Sequence, residues 1–519
     1  MTDAPSHING RFALSDLPIW RERRLRVLVL LHLLVVLVTA WRSETFFHPD
    51  EHFQVVEFAS HLLGWTPADA LPWEFAAQMR PWLQPLAYAG LMRGLAAFGV
   101  RDAFALLTAL RVVTALFAWL AYIALLARLV ALQTSPQGRL RLVQASLAIG
   151  FLPYLLARTS SETAAASLTL LSLLALGLAD PHPRHRRLRW TLLAGLLAGL
   201  AFECRFQMAF LFLGTTLWWL WHRRPSVRAV LGFLAGGVVA LAIGALADRV
   251  GYGVWCFPPL NYVRQNIVLG VASTFGVEPL PAYLWLLPAN LFGPIVALCM
   301  VLLARVWWLR PRSALTWGTL AFVVLHSLVG HKEERFLFPL AFFLPWIFAE
   351  ALPLAALATW PRWLRPLLVW NFLLMALFAV YPLGWRPHHA FFRHMDQATT
   401  VQHVLIRGPQ PFIDTPFLQQ RPFELRVEGR DPLPADWTQW LLLTPDAFAE
   451  PAPPVGTHLR LAWSEMPLRA SPAWAHVGPL LGTWMHAWEA HTPAGLPRPT
   501  WLTLYVIEAD AAAGLAPRR

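Results

Sequence analysis

The chain has 519 residues, 57% of them hydrophobic and 14% charged, whereas a typical soluble domain is about 25% charged. A soluble fold cannot hide that much apolar surface. The formal charge of +12 is spread between apolar segments rather than gathered on one face, which argues against a nucleic-acid binder and reads as topology signalling. All but one of the 42 Lys and Arg residues are Arg, and the exception is Lys332. The three cysteines, Cys204, Cys256 and Cys299, have no CxxC spacing, so neither a disulfide framework nor a zinc site is expected.

Taken in chain order, Arg21, Arg23, Arg24 and Arg26 precede an apolar run from Val27 to Ala40, which reads as a retained first helix rather than a signal peptide. Further apolar runs include Ala229 to Ala247, Tyr283 to Trp308 and Phe336 to Leu352, several near the ~20 residues a bilayer demands. The basic clusters Arg21–Arg26, Arg184–Arg189, Arg223–Arg228, Arg305–Arg312 and Arg362–Arg365 mark the cytoplasmic side. The stretches 42–82, 248–281 and 331–335, and everything after Tyr381, then face outward. The 32 residues from Trp190 to Trp221 form an up-and-down pair with Glu203 and Arg205 near its tip. Parity between Trp82 and Arg184 is met by a second span after Gln84 and by splitting Ala103–Leu132 into two short helices. The expectation is an all-α polytopic membrane region over 1–382 with about 11–13 transmembrane helices. From 383 to 519 the chain is rich in Pro, His and Trp, and short runs at Trp440–Leu443 and Trp501–Ile507 read as strands of a small mixed α/β soluble domain on the outside.

Polar residues concentrate in a few places. After the first span comes Phe46-Phe47-His48-Pro49-Asp50-Glu51-His52-Phe53-Gln54. Adjacent carboxylates beside a membrane helix are costly unless a function holds them there, although Pro49 and an acidic first turn also suit a helix start. His331-Lys332-Glu333-Glu334-Arg335-Phe336 lies at the outer boundary of two later spans. An interfacial girdle could look the same, but a lone lysine in an Arg-rich chain suggests a need for a compact ammonium. Glu74, Arg80, Arg158 to Glu162, Arg205 and Asp248 fall on the same side and suggest a shared polar cavity.

The segments His48-Pro49-Asp50-Glu51, Trp73-Glu74 with Arg80, Arg158 to Glu162 and His331 to Phe336 resemble the dolichyl-phosphate-mannose-dependent mannosyltransferases of glycosyltransferase family 22. The resemblance covers roughly the first 380 residues. It implies a GT-C fold, a first external loop carrying the catalytic carboxylate, a polyprenyl-phosphate-linked sugar as donor, a glycan as acceptor and inversion at the anomeric carbon to give an α-mannoside. The eukaryotic members usually have Asn-Ser before the Glu of the third motif, where this chain has Ser160-Ser161, and the Arg-rich composition looks bacterial. The expected setting is accordingly a bacterial inner membrane with the site facing the periplasm.

Such chemistry needs a base for the acceptor hydroxyl and cations for the departing phosphate. Asp50 is assigned the base, with Glu51 orienting it or the acceptor. Lys332, Arg335 and His331 are assigned the phosphate. His48, Gln54, Glu74, Arg80, Arg158, Glu162, Arg205 and Asp248 are further substrate-binding candidates. No cofactor, obligatory metal, nucleic acid or obligate protein partner is expected. The rivals are a transporter or lipid flippase, for which no internal repeat is evident, and a GT-C enzyme moving another lipid-linked sugar such as arabinose.

Overall fold

The computed structural model describes residues 17–179, 184–290, 293–357, 359–381 and 386–397, and in the later part chiefly 403–407, 415–419, 423–429, 440–444, 451–455, 457–464 and 502–509. Contacts divide the chain into two units. One comprises Met1–Gly64, Leu71–Arg101 and Ala105–Leu383, the other Trp65–Ala70, Asp102–Phe104 and Gly384–Arg519.

The helices that carry the argument are α1 (Arg23–Arg42), α2 (Leu83–Ala97), α3 (Ala103–Ala131), α4 (Pro136–Leu147), α5 (Leu152–Leu156), α6 (Ser161–Ala179), α7 (Arg184–Cys204), α8 (Met208–Trp218), α9 (Val227–Tyr252), α10 (Pro258–Val263), α11 (Pro294–Leu309), α12 (Ala314–Leu328) and α13 (Arg365–Val380). Among the described residues, α1, α3, α6, α9 and the run Arg362–Val380 are long and apolar enough to cross a membrane, and α11 and α12 are shorter apolar helices. Their outward faces confirm the solvent. On α9, Leu231, Leu234, Val238 and Val250 are more than half exposed, a pattern that water would penalise and lipid does not. The chain is a multi-pass integral membrane protein.

The inward face of α9 carries Gly232, Gly236, Ala240 and Gly244 at four-residue intervals, all buried, and it packs along α7. A Cβ on Gly236 would collide with the Leu192 carbonyl, and one on Gly195 with the Phe233 carbonyl. Small residues let the two backbones touch, which is how helices gain packing energy where lipid removes the hydrophobic drive.

Helices α4 and α5 form one broken element. Between them the Gly150 N–H donates to Asn371 Oδ1 at 2.7 Å, and the Asn371 amide donates to the Ala148 carbonyl. One buried amide from α13 thereby satisfies backbone groups that the break sets free, as a low-dielectric environment requires.

The structure corrects the expected split of 103–132. Ala103–Ala131 is one continuous helix of 29 residues, because it contains neither Gly nor Pro, and its only early charge, Arg111, is satisfied by the Ala40 carbonyl at 3.0 Å and the Thr108 hydroxyl at 2.8 Å. That contact places the start of α3 beside the end of α1. Arg139, in the first turn of α4, which follows the far end of α3, pairs with Glu22, just before α1, at 2.6 Å. Helices α1 and α3 are therefore antiparallel.

In the second unit five strands form one sheet: β1 (His403–Ile406), β2 (Glu424–Val427), β3 (Leu441–Thr444), β4 (Thr457–Ser464) and β5 (Thr503–Ala509), in the order β2-β1-β3-β5-β4. β1 is parallel to β2 and β3, while β5 is antiparallel to β3 and β4. Leu405, Trp440, Leu442, Tyr505 and Ile507 fill one side of it. The short strands expected near Trp440 and Trp501 are β3 and β5.

Candidate active site

After α1 the chain turns at Ser43 to His48 and starts a new helix at Pro49, where the missing proline N–H leaves no donor unsatisfied. The His48 ring caps it, its Nδ1 accepting from the Asp50 N–H at 3.2 Å. The helix then passes through a π-helical turn, His52–Val56, before continuing as Glu57–Leu62. The extra residue of such a turn changes which side chains share a face. The buried pair His52 and Glu57, 3.0 Å apart, spans this turn.

The two adjacent carboxylates part company here. Asp50 faces a cluster of cations: Arg335 Nη2 lies 2.7 Å from its Oδ2, and Arg80 Nη2 lies 3.7 Å away. Glu51 points the other way and is 4% exposed. Its Oε1 accepts from the Thr159 N–H at 2.7 Å and the Thr159 hydroxyl at 2.9 Å, and its Oε2 accepts from the Phe47 N–H at 3.0 Å. Glu51 thus joins the first motif to the third and faces no open space.

Arg335 is the hub. It pairs with Asp50, with Glu333 and, at 3.4 Å, with Glu162. Glu162 pairs in turn with Arg205 at 2.9 Å, and Arg205 also reaches the Ser161 hydroxyl at 3.0 Å. On the far side of Asp50, Arg80 pairs with Glu74 at 3.3 Å, and Glu74 accepts from Gln54 at 2.9 Å. Glu333 also takes His331 at 2.8 Å and His48 at 3.3 Å. Burial alone would push the Asp50 carboxyl up, but Arg335, followed by His48 and Arg80, outweighs it and holds the group at about 2. Glu333, partly buried, is held well below the usual carboxylate range by Arg335 and His331.

A cavity adjoins this cluster, lined by Gln54, Arg80, Gln84, Ser161, Arg205, Phe206, Gln207 and Tyr262. The Nε of Arg80 and the Nε of Arg205 are both buried without a hydrogen-bond partner among the described residues. Two guanidinium groups lining one cavity suit an anion.

The remaining sequence candidates lie elsewhere. Arg158 is fully buried; it donates to the Thr45 carbonyl at 2.7 Å and to Ser43, and its guanidinium lies 4.3 Å from the centre of the Tyr154 ring. It fixes the turn after α1. Asp248 accepts the Trp82 N–H at 2.9 Å and holds the start of α2. The ammonium of Lys332 donates to the carbonyls of Val329, Glu278 and Gly330 at 2.7, 2.9 and 3.4 Å. Among the described residues, no three His, Cys, Asp or Glu side chains gather as a metal site. Thr159 lay within the quoted segment Arg158 to Glu162 without a role of its own, and Gln207 and Tyr262 were not singled out from the sequence. Gln207 sits close to Arg205, but nothing in composition or spacing marks Tyr262, which reaches the cavity from α10.

The match to known proteins agrees with this architecture. Residues 27–407 match the Alg9-like mannosyltransferase family, and the chain belongs to it. It is similar to GPI mannosyltransferase 3 of Yarrowia lipolytica, 29% identical over 66% of this chain and 65% of that protein. It is also similar to GPI alpha-1,2-mannosyltransferase 3 of Mus musculus, 24% identical over 74% of this chain and 68% of that one. The chain thus spans about two thirds of the length of these relatives. Among solved structures it resembles ArnT from Cupriavidus metallidurans bound to undecaprenyl phosphate, with a TM-score of 0.51 at 13% identity, covering 96% of this chain and 100% of that one. That likeness is one of fold, of the GT-C type.

Proposed function

We propose that the chain is an inverting mannosyltransferase that moves a sugar from a polyprenyl-phosphate donor to a hydroxyl of a lipid-linked or other glycan, at the external face of the membrane. The observation that carries this is Asp50 set among Arg335 and Arg80, next to a cavity lined by the two arginines Arg80 and Arg205. The donor's phosphate would be neutralised by those guanidinium groups, and Asp50 would accept the proton of the attacking hydroxyl. Single displacement at the anomeric carbon needs one carboxylate base and no covalent intermediate.

A carboxylate held at about 2 is a weak base. Its low value is caused mainly by Arg335, so an anionic phosphate that shares the arginine charge raises Asp50 toward a useful range. Donor binding thereby switches on the base. In this reading the phosphate belongs to Arg80, Arg205 and Arg335, while Lys332 and His331 stand behind them. The family relationship supports mannose as the sugar, and the Arg-rich composition supports a bacterial inner membrane with a periplasmic site.

The test is transfer from polyprenyl-phosphate-mannose by purified protein. Asp50→Asn should bind donor and lose transfer. Turnover within about tenfold of wild type, the equivalent of roughly 1.4 kcal/mol, removes Asp50 from the role of base. A wild-type protein that transfers arabinose and not mannose from the same lipid overturns the sugar assignment alone.

A further inference from the structure

The segment His331 to Phe336 divides in the middle. Glu333 and Arg335 face Asp50, whereas His331 and Lys332 face the backbone of residues 276–278. Lys332, 6% exposed, spends its three protons on the carbonyls of Val329, Glu278 and Gly330. His331 Nδ1 lies 3.2 Å from the Gly276 carbonyl, and the Glu278 N–H donates to the Gly330 carbonyl at 3.0 Å. Val329 is the C-cap of α12, so the ammonium sits at the C-terminal end of that helix, where a cation is favoured.

The same external segment is tied at its other end. Tyr252 bonds through its hydroxyl to the Arg80 backbone, and the Asn261 amide donates to the Gln78 carbonyl at 3.0 Å. Tyr262 lies under the Arg80 guanidinium at 5.7 Å and accepts from the Gln207 amide at 2.5 Å, in the cavity wall. Between the ties the chain consists of α10, a π-helical turn and a 3-10 turn, punctuated by Gly253, Gly270 and Gly276 at φ of 72°, 67° and 113°. Only glycine adopts such values readily. A stretch of short turns without a core of its own keeps its shape through its end contacts.

We propose that Lys332, assisted by His331, is a positioning residue: it latches the external segment 253–282 so that Tyr262 completes the cavity wall. Three carbonyls converging on one point suit a compact ammonium and not the planar fork of arginine, which accounts for the one lysine of the chain. The effect on turnover rests on the mannosyltransferase reading; the effect on the segment does not.

Two readouts on the purified full-length protein test the latch. The first is the rate of tryptic cleavage after Arg264, which is exposed within the segment. The second is transfer from polyprenyl-phosphate-mannose. Lys332→Met should raise the cleavage rate and lower turnover, each by about tenfold or more, and Lys332→Arg should do so to a lesser extent. A Cβ at position 330 would stand 3.6 Å from Val277 Cγ1, the place a cysteine sulfur at 277 would take, which makes 277 and 330 a pair for an engineered disulfide. Adding Val277→Cys and Gly330→Cys to Lys332→Met should, when oxidised, restore both readouts to within about threefold of wild type, and reductant should reverse the rescue.

Unchanged cleavage in Lys332→Met overturns the latch. Faster cleavage with unchanged transfer, or transfer still lost after the oxidised pair has restored protection, overturns the positioning role. If Lys332→Met is not recovered folded, Lys332→Arg with and without the cysteine pair carries the same comparison. Absence of transfer in the wild type counts against the catalytic reading, and the cleavage result still decides the latch.

Discussion

At the scale of single residues, Asp50 and Glu51 are chemically alike and differ in what surrounds them. Glu51 accepts three hydrogen bonds in a buried place. An amide there turns an N–H toward another N–H, and an unmade buried bond costs about 1–3 kcal/mol. Glu51→Gln should therefore lower the thermal midpoint in detergent while leaving some transfer in the folded fraction, whereas Asp50→Asn, which also removes the charge facing Arg335, should abolish transfer even in protein that remains folded. Transfer by folded Asp50→Asn within about tenfold of wild type, or an unchanged midpoint in Glu51→Gln, would contradict the division of labour.

His331 makes a second residue-scale prediction. Both of its ring nitrogens face acceptors, the Gly276 carbonyl and the Glu333 carboxylate, an arrangement that favours the doubly protonated ring. The Glu333 hydrogen bond raises it above 6.5 despite burial and the neighbouring Arg335. A raised folded value stabilises the protein fully below the unfolded value and is lost as pH rises through the folded one. The midpoint difference between wild type and His331→Gln should accordingly be largest near pH 6 and shrink on the alkaline side. A difference that grows with pH would show that the ring is neutral.

At the scale of elements, the helices obey the rules of lipid rather than of water. The α7–α9 pair packs through glycines, and the α4–α5 break is bridged by Asn371, 1% exposed. Asn371→Leu keeps the volume and strands the Gly150 N–H and the Ala148 carbonyl, so a loss of roughly 1–3 kcal/mol per stranded group is expected. Denaturant or thermal unfolding in detergent measures it, and a neutral result would mean that water or a neighbouring group replaces the amide. The apolar runs announced the helices themselves. The break at 148–151 and the continuity of α3 were not legible, because parity arguments from charge clusters cannot distinguish one long helix from two short ones.

At the scale of the molecule, the antiparallel α1 and α3 bear on topology. Arg111, early in α3, reaches the Ala40 carbonyl near the end of α1, so the loop before α3 lies at the same end of the bundle as Ser43. We infer that α2 begins and ends on the outside and is not a crossing. This gives the odd number of passes that the expectation from the basic clusters, an inside N-terminus and an outside C-terminal unit, calls for, without dividing α3. A reporter at Gly99 should then report the outside and one at Gly138 the cytoplasm; a cytoplasmic signal at Gly99 would reinstate α2 as a span.

The sequence by itself determined the solvent of the protein, most of the apolar runs that become helices, the presence of a small mixed sheet and the motifs that identify the family. Those properties follow from composition, run length and residue type, all local along the chain. Only the tertiary structure decided which motif residues meet. Arg335 and Asp50 are 285 positions apart and in contact, while Asp50 and Glu51 are neighbours and face opposite ways. Lys332 stood out by composition, yet its partners are backbone carbonyls, which no side-chain pattern can reveal. Tyr262 entered the cavity wall unannounced, because a π-helical turn, a helix break and the path of an external segment are set by packing between distant parts of the chain.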